Sequence, residues 1–267
     1  MDEGHPGCKD LVDKLRNHDI RLGVIVPPGN VSIEREFRHF APENVGVHFN
    51  RLSRPISIST SESLLSMLDS LERAAVDLAQ CHPQLMLFGC TSGSFLGGEH
   101  DDEKIGNAIQ DYTGIPGITA SAAVVHSLKK LGVRRCFMLT PYPDNICLEE
   151  VTFLKGHGIE VVGWTSFRCM KTEQTLAIST EQVAAKLREH RSAISSADGI
   201  FISCTNLLTM DVLPVIENEF GVPAVSSNQA MLFAALATLR VDARNVPAGR
   251  LFQLHGHLKQ MPEASFY

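Results

Sequence analysis

Short apolar runs separated by helical patterns constrain this chain more than any other feature of its sequence. The runs are Leu22–Val26, Val45–Phe49, Leu85–Phe88, Arg135–Leu139, Ile159–Val162, Gly199–Ile202 and Ala224–Val225. Each has strand length. Most are apolar at consecutive positions, not alternate ones, so both faces of each strand are to be buried. That is the pattern of a parallel sheet covered by helices. The intervening segments 61–80, 103–112, 121–131, 145–157, 180–195 and 211–220 supply those helices. In the first, Leu64, Leu65, Leu68, Leu71, Ala75 and Leu78 recur at spacings of three and four. Gly132, Gly158 and Gly221 follow three of the helices, where a left-handed C-cap is expected. Alternation of strand and helix predicts an α/β fold with right-handed crossovers.

A weak internal repeat refines this. One strand ends in Phe88-Gly89-Cys90-Thr91-Ser92, and another, 114 residues on, in Ile202-Ser203-Cys204-Thr205-Asn206. After each comes a helix and then a short strand entry, Gly114-Ile115-Pro116 or Gly221-Val222-Pro223. Duplication of one βαβ half explains the match. No Pro/Gly/Ser-rich linker divides the halves. They are expected to pack closely and to meet near residues 119–123.

Composition excludes several classes of function. The 267 residues are 44% hydrophobic and 20% charged, as in an ordinary globular protein. The net charge of -6 and the absence of basic runs argue against nucleic acid as a partner. No apolar run reaches the length of a membrane span. The N-terminal Met1-Asp2-Glu3-Gly4-His5 is polar and acidic and does not read as a secretory signal. Seven cysteines, an odd number without C-x-x-C spacing, point to free thiols and a cytoplasmic setting. Neither a P-loop nor a G-x-G-x-x-G fingerprint is present. His255-Gly256-His257 lies in a polar tail, and the acids at 99–103 suit the first turn of a helix. No metal or cofactor is expected.

The two Cys-Thr motifs carry the chemistry. In an open parallel sheet, ligands bind beyond the carboxyl ends of the strands, and both motifs sit there. A thiol at such an end, near a helix N-terminus, is expected to ionise below its ordinary pKa of about 8.5. The adjoining Thr and Ser or Asn can donate to a carboxylate or enediolate oxygen. Two thiols, one from each half, suit chemistry at a carbon beside a carboxylate: one removes a proton or attacks, and the other delivers a proton from the opposite side. Cys8, Cys81, Cys136, Cys147 and Cys169 read as structural.

Several blocks taken in order resemble one known family across residues 21–241. They are Val26-Pro27-Pro28-Gly29-Asn30, Gly89-Cys90-Thr91-Ser92, Gly132-Val133-Arg134-Arg135, Leu139-Thr140-Pro141-Tyr142, Ser203-Cys204-Thr205-Asn206-Leu207-Leu208-Thr209 and the run from Gly221 to Ala230. The sequence resembles the Asp/Glu racemase superfamily. The relevant branch holds maleate cis–trans isomerases, arylmalonate decarboxylases and related ectoine-utilisation proteins. The resemblance implies two Rossmann-like halves with parallel sheets about a pseudo-twofold axis, an active site in the cleft between them, and no cofactor. It implies a chain end that returns to the first half. The lobes would then be residues 1–121 with 227–267, and 122–226, with residues 226–229 as a crossing loop.

By position, Cys90 and Cys204 look like the catalytic pair. Thr91, Ser92, Tyr142, Thr205 and Asn206 look like carboxylate or oxyanion donors, and Asn30 matches the substrate-carboxylate Asn of the maleate isomerases. Two departures matter. Arylmalonate decarboxylases have Gly where this chain keeps Cys90, which favours isomerisation or racemisation. The isomerases carry an Asn near 173–177, where this chain has Gln174-Thr175, which points away from maleate itself. The Phe95-Leu96-Gly97-Gly98 stretch is expected to floor the pocket.

The expected function is a cofactor-independent isomerase or racemase of a small, maleate-like or α-substituted carboxylic acid. An arylmalonate-type decarboxylase with Cys204 as proton donor is one alternative, and a non-catalytic small-acid binding protein another. The partner is the small acid, with neither nucleic acid nor membrane. A homo-oligomer is left open.

Overall fold

A computed structural model describes residues 20–55, 58–98 and 100–254. Eight strands form two sheets of four, every pair parallel. The first sheet, in order β2-β1-β3-β4, holds β1 (Ile20–Val26), β2 (Val45–Arg51), β3 (Leu85–Phe88) and β4 (Gly117–Thr119). The second repeats that order as β6-β5-β7-β8, with β5 (Arg135–Thr140), β6 (Glu160–Ser166), β7 (Gly199–Ile202) and β8 (Ala224–Ser226). The continuous apolar runs are the central strands. Leu22, Val24, Ile25 and Val26 of β1 are fully buried, as are Met138 and Leu139 of β5. Hydrophobic transfer from both faces therefore selects the strands expected from the sequence. β4 is a three-residue edge strand. Helix Asp101–Thr113 lies so close to it that a Cβ on Gly117 would sit 2.6 Å from the Gly106 carbonyl oxygen.

Gly132, Gly158 and Gly221 do take positive φ, at 76°, 78° and 77°. Three helical expectations need correction. Residues 61–80 form two α-helices, Ser61–Leu65 and Leu71–Ala79, joined by a 3₁₀ segment at Ser66–Ser70. The hydroxyls of Ser66 and Ser70 donate to the carbonyls of Ser63 and Met67, competing with the helical ladder there. Residues 180–195 split into Thr180–Arg188 and Arg191–Ile194; Arg188 and Arg191 both reach Glu219, at 2.8 and 2.5 Å. Residues 226–229 are not a loop. Ser226 caps helix Ser227–Thr238: its Oγ accepts from the Gln229 amide, and Gln229 Oε1 accepts from the Ser226 amide. Ser227 to Leu236 are buried on every side, so this helix has no amphipathic stripe to betray it.

Two helices join the halves. Ala120–Lys130 follows β4 and packs beside β8 as well. Ser227–Thr238 follows β8 and lies against Ala120–Lys130, β3 and β4. No helix among the described residues is long and apolar enough to cross a membrane.

Helix Ser32–Phe40 adds a third tie through Glu36, only 3% exposed. Its Oε1 accepts from the amides of Thr209 and Met210, and its Oε2 from Asn228 Nδ2 at 2.6 Å. Burial raises this carboxyl to about 7 against those hydrogen bonds. Replacing Glu36 by Ala strands buried donors and should cost about 2–4 kcal/mol in urea unfolding. The sign of the pH effect follows from a folded pKa above the unfolded one. The stabilisation is full below about pH 4.5 and is lost as the pH climbs through about 7. Between pH 5 and 7.5 the wild type should therefore lose more stability than Glu36→Gln, which cannot titrate.

Candidate active site

The strand order of each half reverses beside its first strand: β1 is followed by β2 on one side and β3 on the other, and β5 likewise by β6 and β7. Beyond the carboxyl ends at such a reversal the loops part and leave a crevice. Here the crevices of both halves open on one cavity. Pro27, Pro28, Gly29 and Asn30 come from the end of β1, and Cys90, Thr91 and Ser92 from β3. Tyr142 follows β5, and Cys204, Thr205 and Asn206 follow β7. All eight site residues expected from the sequence line it. Its volume, about 70 Å³, suits a compact acid and lies well below the roughly 300 Å³ of smaller drug-type pockets.

Cys90 is 4% exposed. The Gly93 amide donates to its Sγ at 3.3 Å, and Ser92 Oγ lies 3.8 Å away. Cys204 differs in its backbone. Its φ of 100° is one L-residues rarely adopt, and holding it there costs about 1–3 kcal/mol. The structure fixes this turn from both sides: the Cys204 amide donates to Ser227 Oγ at 3.1 Å, and the Asn206 amide donates to Cys204 Sγ at 3.4 Å. Ser227 Oγ also accepts from Thr91 Oγ1 at 2.9 Å, so one hydroxyl couples the two motifs.

Three other residues spend their side chains on joining the halves. Asn30 Nδ2 donates to Thr205 Oγ1 at 2.8 Å, and Thr205 Oγ1 donates to the Gly89 carbonyl at 2.9 Å. Asn206 Oδ1 accepts from the Val31 and Ser32 amides, capping helix Ser32–Phe40 from across the cleft. Its Nδ2 donates to the Gly29 carbonyl.

The thiols are not acidified. Burial raises Cys90 despite opposing help from the Gly93 amide, Ser92 and the positive charge of Arg54. Burial pushes Cys204 up to about 12, and Cys90 and Glu150 raise it further. The expectation of an unusually low pKa fails because desolvation outweighs one amide donor per sulfur. The ordering is still informative: only Cys90 has a cation beside it.

Behind Cys204 lies a buried polar chain. The Tyr142 hydroxyl is within hydrogen-bonding reach of Cys204 and of Ser203. Ser203 Oγ donates to Glu150 Oε1 at 2.5 Å. Glu150 is 1% exposed, burial raises it to about 8, and its Oε2 is without a hydrogen-bond partner. Sequence reasoning missed Glu150, although a signal existed: Glu36 and Glu150 are separated by the same 114 residues as the two cysteines. It also missed Arg54, Ser59, Leu64, Thr172 and Thr175, which line the cavity from loops and short helices outside the repeat.

Gln174 does not line the cavity. It caps its own helix, Oε1 accepting from the Met170 and Lys171 amides. Phe95 turns away too, its ring 6.0 Å from that of Phe153, and forms no pocket floor. Cys136 and Cys147 are fully buried in the core. Cys8 and His255-Gly256-His257 lie outside the described residues. Among the described residues, no group of three His, Cys, Asp or Glu could hold a metal ion.

Known proteins share this arrangement. The family model for arylmalonate decarboxylase matches residues 22–252. The chain belongs to the arylmalonate decarboxylase family. Its relatives within and around that family differ in activity. A maleate isomerase of Nocardia farcinica is 27% identical over 243 residues, covering 87% of this chain and 95% of the relative. An arylmalonate decarboxylase of Bordetella bronchiseptica is 28% identical over 232 residues, covering 86% and 95%. A solved cysteine-to-serine variant of the Nocardia farcinica maleate cis–trans isomerase superposes with a TM-score of 0.81 at 22% identity. It covers 87% of this chain and 98% of that one, and it carries a covalently bound succinylcysteine intermediate.

The burial of the family's paired thiols in this chain has a direct chemical consequence. In the ligand-free protein at pH 7.5, iodoacetamide should label exposed Cys81 at least about tenfold faster than Cys204. Labelling of Cys204 should keep accelerating up to about pH 12, read by peptide mass spectrometry.

Proposed function

We propose that this protein is an isomerase or racemase of a small carboxylic acid that works through Cys90 and Cys204 without a cofactor. The observation that carries the reading is that two cysteines, one from each half, line a single small cavity at matched strand ends. Cys90 is the group that reacts as thiolate, since the Gly93 amide, Ser92 and Arg54 all favour its anion. Cys204 starts as the thiol, because its surroundings oppose charge most strongly.

For an α-substituted acid, Cys90 takes the α-proton and the electron pair passes into the carboxylate as an enediolate. Ser92, Tyr142, Thr91 and nearby backbone amides stabilise that charge. Cys204 then delivers its proton to the other face of the carbon and becomes the thiolate. For a cis-alkene acid, the Cys90 thiolate adds to one alkene carbon and Cys204 protonates its neighbour. Rotation about the new single bond follows. Return of the proton to Cys204 expels Cys90 and leaves the trans alkene. The covalent succinylcysteine of the Nocardia enzyme supports the second route. Asn30, Thr205 and Asn206 act by holding the halves in register around these atoms.

A second reading is kept by the family match and the Bordetella relative: decarboxylation of a malonate-type acid, with Cys204 protonating the resulting enediolate. Incubation with disubstituted malonates in deuterated water separates the two. Deuterium entry at the α-carbon without carbon dioxide supports the isomerase, and carbon dioxide release supports the decarboxylase. In the isomerase reading, Cys90→Ala and Cys204→Ala should each lower turnover at least about 10³-fold with unchanged unfolding midpoints. Full turnover in either variant would rule out two-thiol chemistry.

A further inference from the structure

Arg54 is the only charged side chain among the described residues that line the cavity. It sits on the segment between β2 and helix Ser61–Leu65, on the Cys90 side. Its guanidinium is held in place: Nε donates to Ser63 Oγ at 2.9 Å, and a terminal nitrogen donates to the Ile58 carbonyl. The same segment is tied across the cleft. Ile58 bridges Lys171 in antiparallel fashion, and the Ser59 amide donates to the Met170 carbonyl at 2.9 Å. Ser59, Thr172 and Thr175 line the cavity beside this strap. Arg54 is thus fixed within the closed site and does not sweep through solvent.

The guanidinium is half-buried, and no carboxylate among the described residues pairs with it. Elsewhere on the chain arginines find acids: Arg51 with Glu34, Arg168 with Asp144, Arg188 with Glu219. A guanidinium partly withdrawn from water gains most from an anion that arrives with planar, two-oxygen geometry. The remaining donors around the cavity are neutral hydroxyls and amides, which suffice for the carboxylate at the reacting carbon.

We propose that Arg54 is the subsite for a second acidic group, so that the substrate is a compact dianion whose remote carboxylate pairs with Arg54 while the reacting carbon lies between the thiols. This rests on the two-thiol reading above, and narrows its substrate class from any small acid to those bearing two anionic groups.

The test compares iodoacetate with iodoacetamide at Cys90, resolved by peptide mass spectrometry at pH 8.5. Both reagents attack the same thiolate, so their rate ratio cancels its pKa and reports only attraction of the reagent's carboxylate. The iodoacetate-to-iodoacetamide ratio should be about tenfold higher at Cys90 than at exposed Cys81. It should fall to the Cys81 value in Arg54→Gln and be partly restored in Arg54→Lys. A ratio unchanged in Arg54→Gln, or equal loss of both rates, would place Arg54 in service of the thiol alone and overturn the proposal.

Calorimetric binding gives a second reading that needs no alkylation. The wild type should bind succinate at least about tenfold more tightly than butyrate, and Arg54→Gln should bind them alike. Absence of that discrimination in the wild type would also overturn the proposal. Turnover surviving in Cys204→Ala would remove the two-thiol mechanism while leaving both Arg54 readouts intact, so the two failures are distinguishable.

Discussion

The cavity depends on one hydrogen bond more than on any other: Thr205 Oγ1 donating to the Gly89 carbonyl. Gly89 precedes Cys90 at the end of β3, and Thr205 follows Cys204 at the end of β7. Their bond fixes the two thiol-bearing turns against one another across the boundary between the sheets. Asn30 adds its amide to the same hydroxyl, and the Thr91 hydroxyl reaches the Cys204 amide through Ser227. Because these groups are buried, each missing partner would cost far more than each formed bond contributes. The network therefore fixes geometry rather than supplying net stability. It also explains how a Cys can be held at a φ of 100° without relaxing.

This rigidity has an electrostatic side. A small, enclosed cavity raises both thiols, and it would make two simultaneous thiolates very costly. The resting state is then a pair of protonated sulfurs in unequal surroundings. A cation and two donors attend Cys90, whereas Cys204 backs onto Tyr142, Ser203 and a carboxyl held near pH 8. The inequality arises in a fold whose halves share one topology. Duplication supplies two thiols at matched places, and residues outside the repeat make them different.

The strands and the two sulfur-bearing turns were legible because their signals are local. Leu22–Val26 and Gly199–Ile202 announce burial by composition, and the repeated Cys-Thr announces itself by sequence. Helix Ser227–Thr238 was not legible, since burial on all sides leaves no periodic stripe. The break at Ser66–Ser70 depends on serine hydroxyls that a leucine pattern hides. Asn206 read as a substrate donor from its place beside Cys204. Its partners, the first amides of helix Ser32–Phe40, belong to a segment far away in sequence.

By itself, then, the sequence determined a parallel α/β chain with two equivalent halves and a free thiol at a strand end of each. Hydrophobic periodicity and a repeated motif are properties of neighbours along the chain, and they need no third dimension. Only the tertiary structure decided that both thiols share one cavity, that burial raises their pKa values, and that Glu150 and Arg54 stand behind one and beside the other. Desolvation and charge proximity depend on distances between residues remote in sequence, and those exist only once the two sheets have packed.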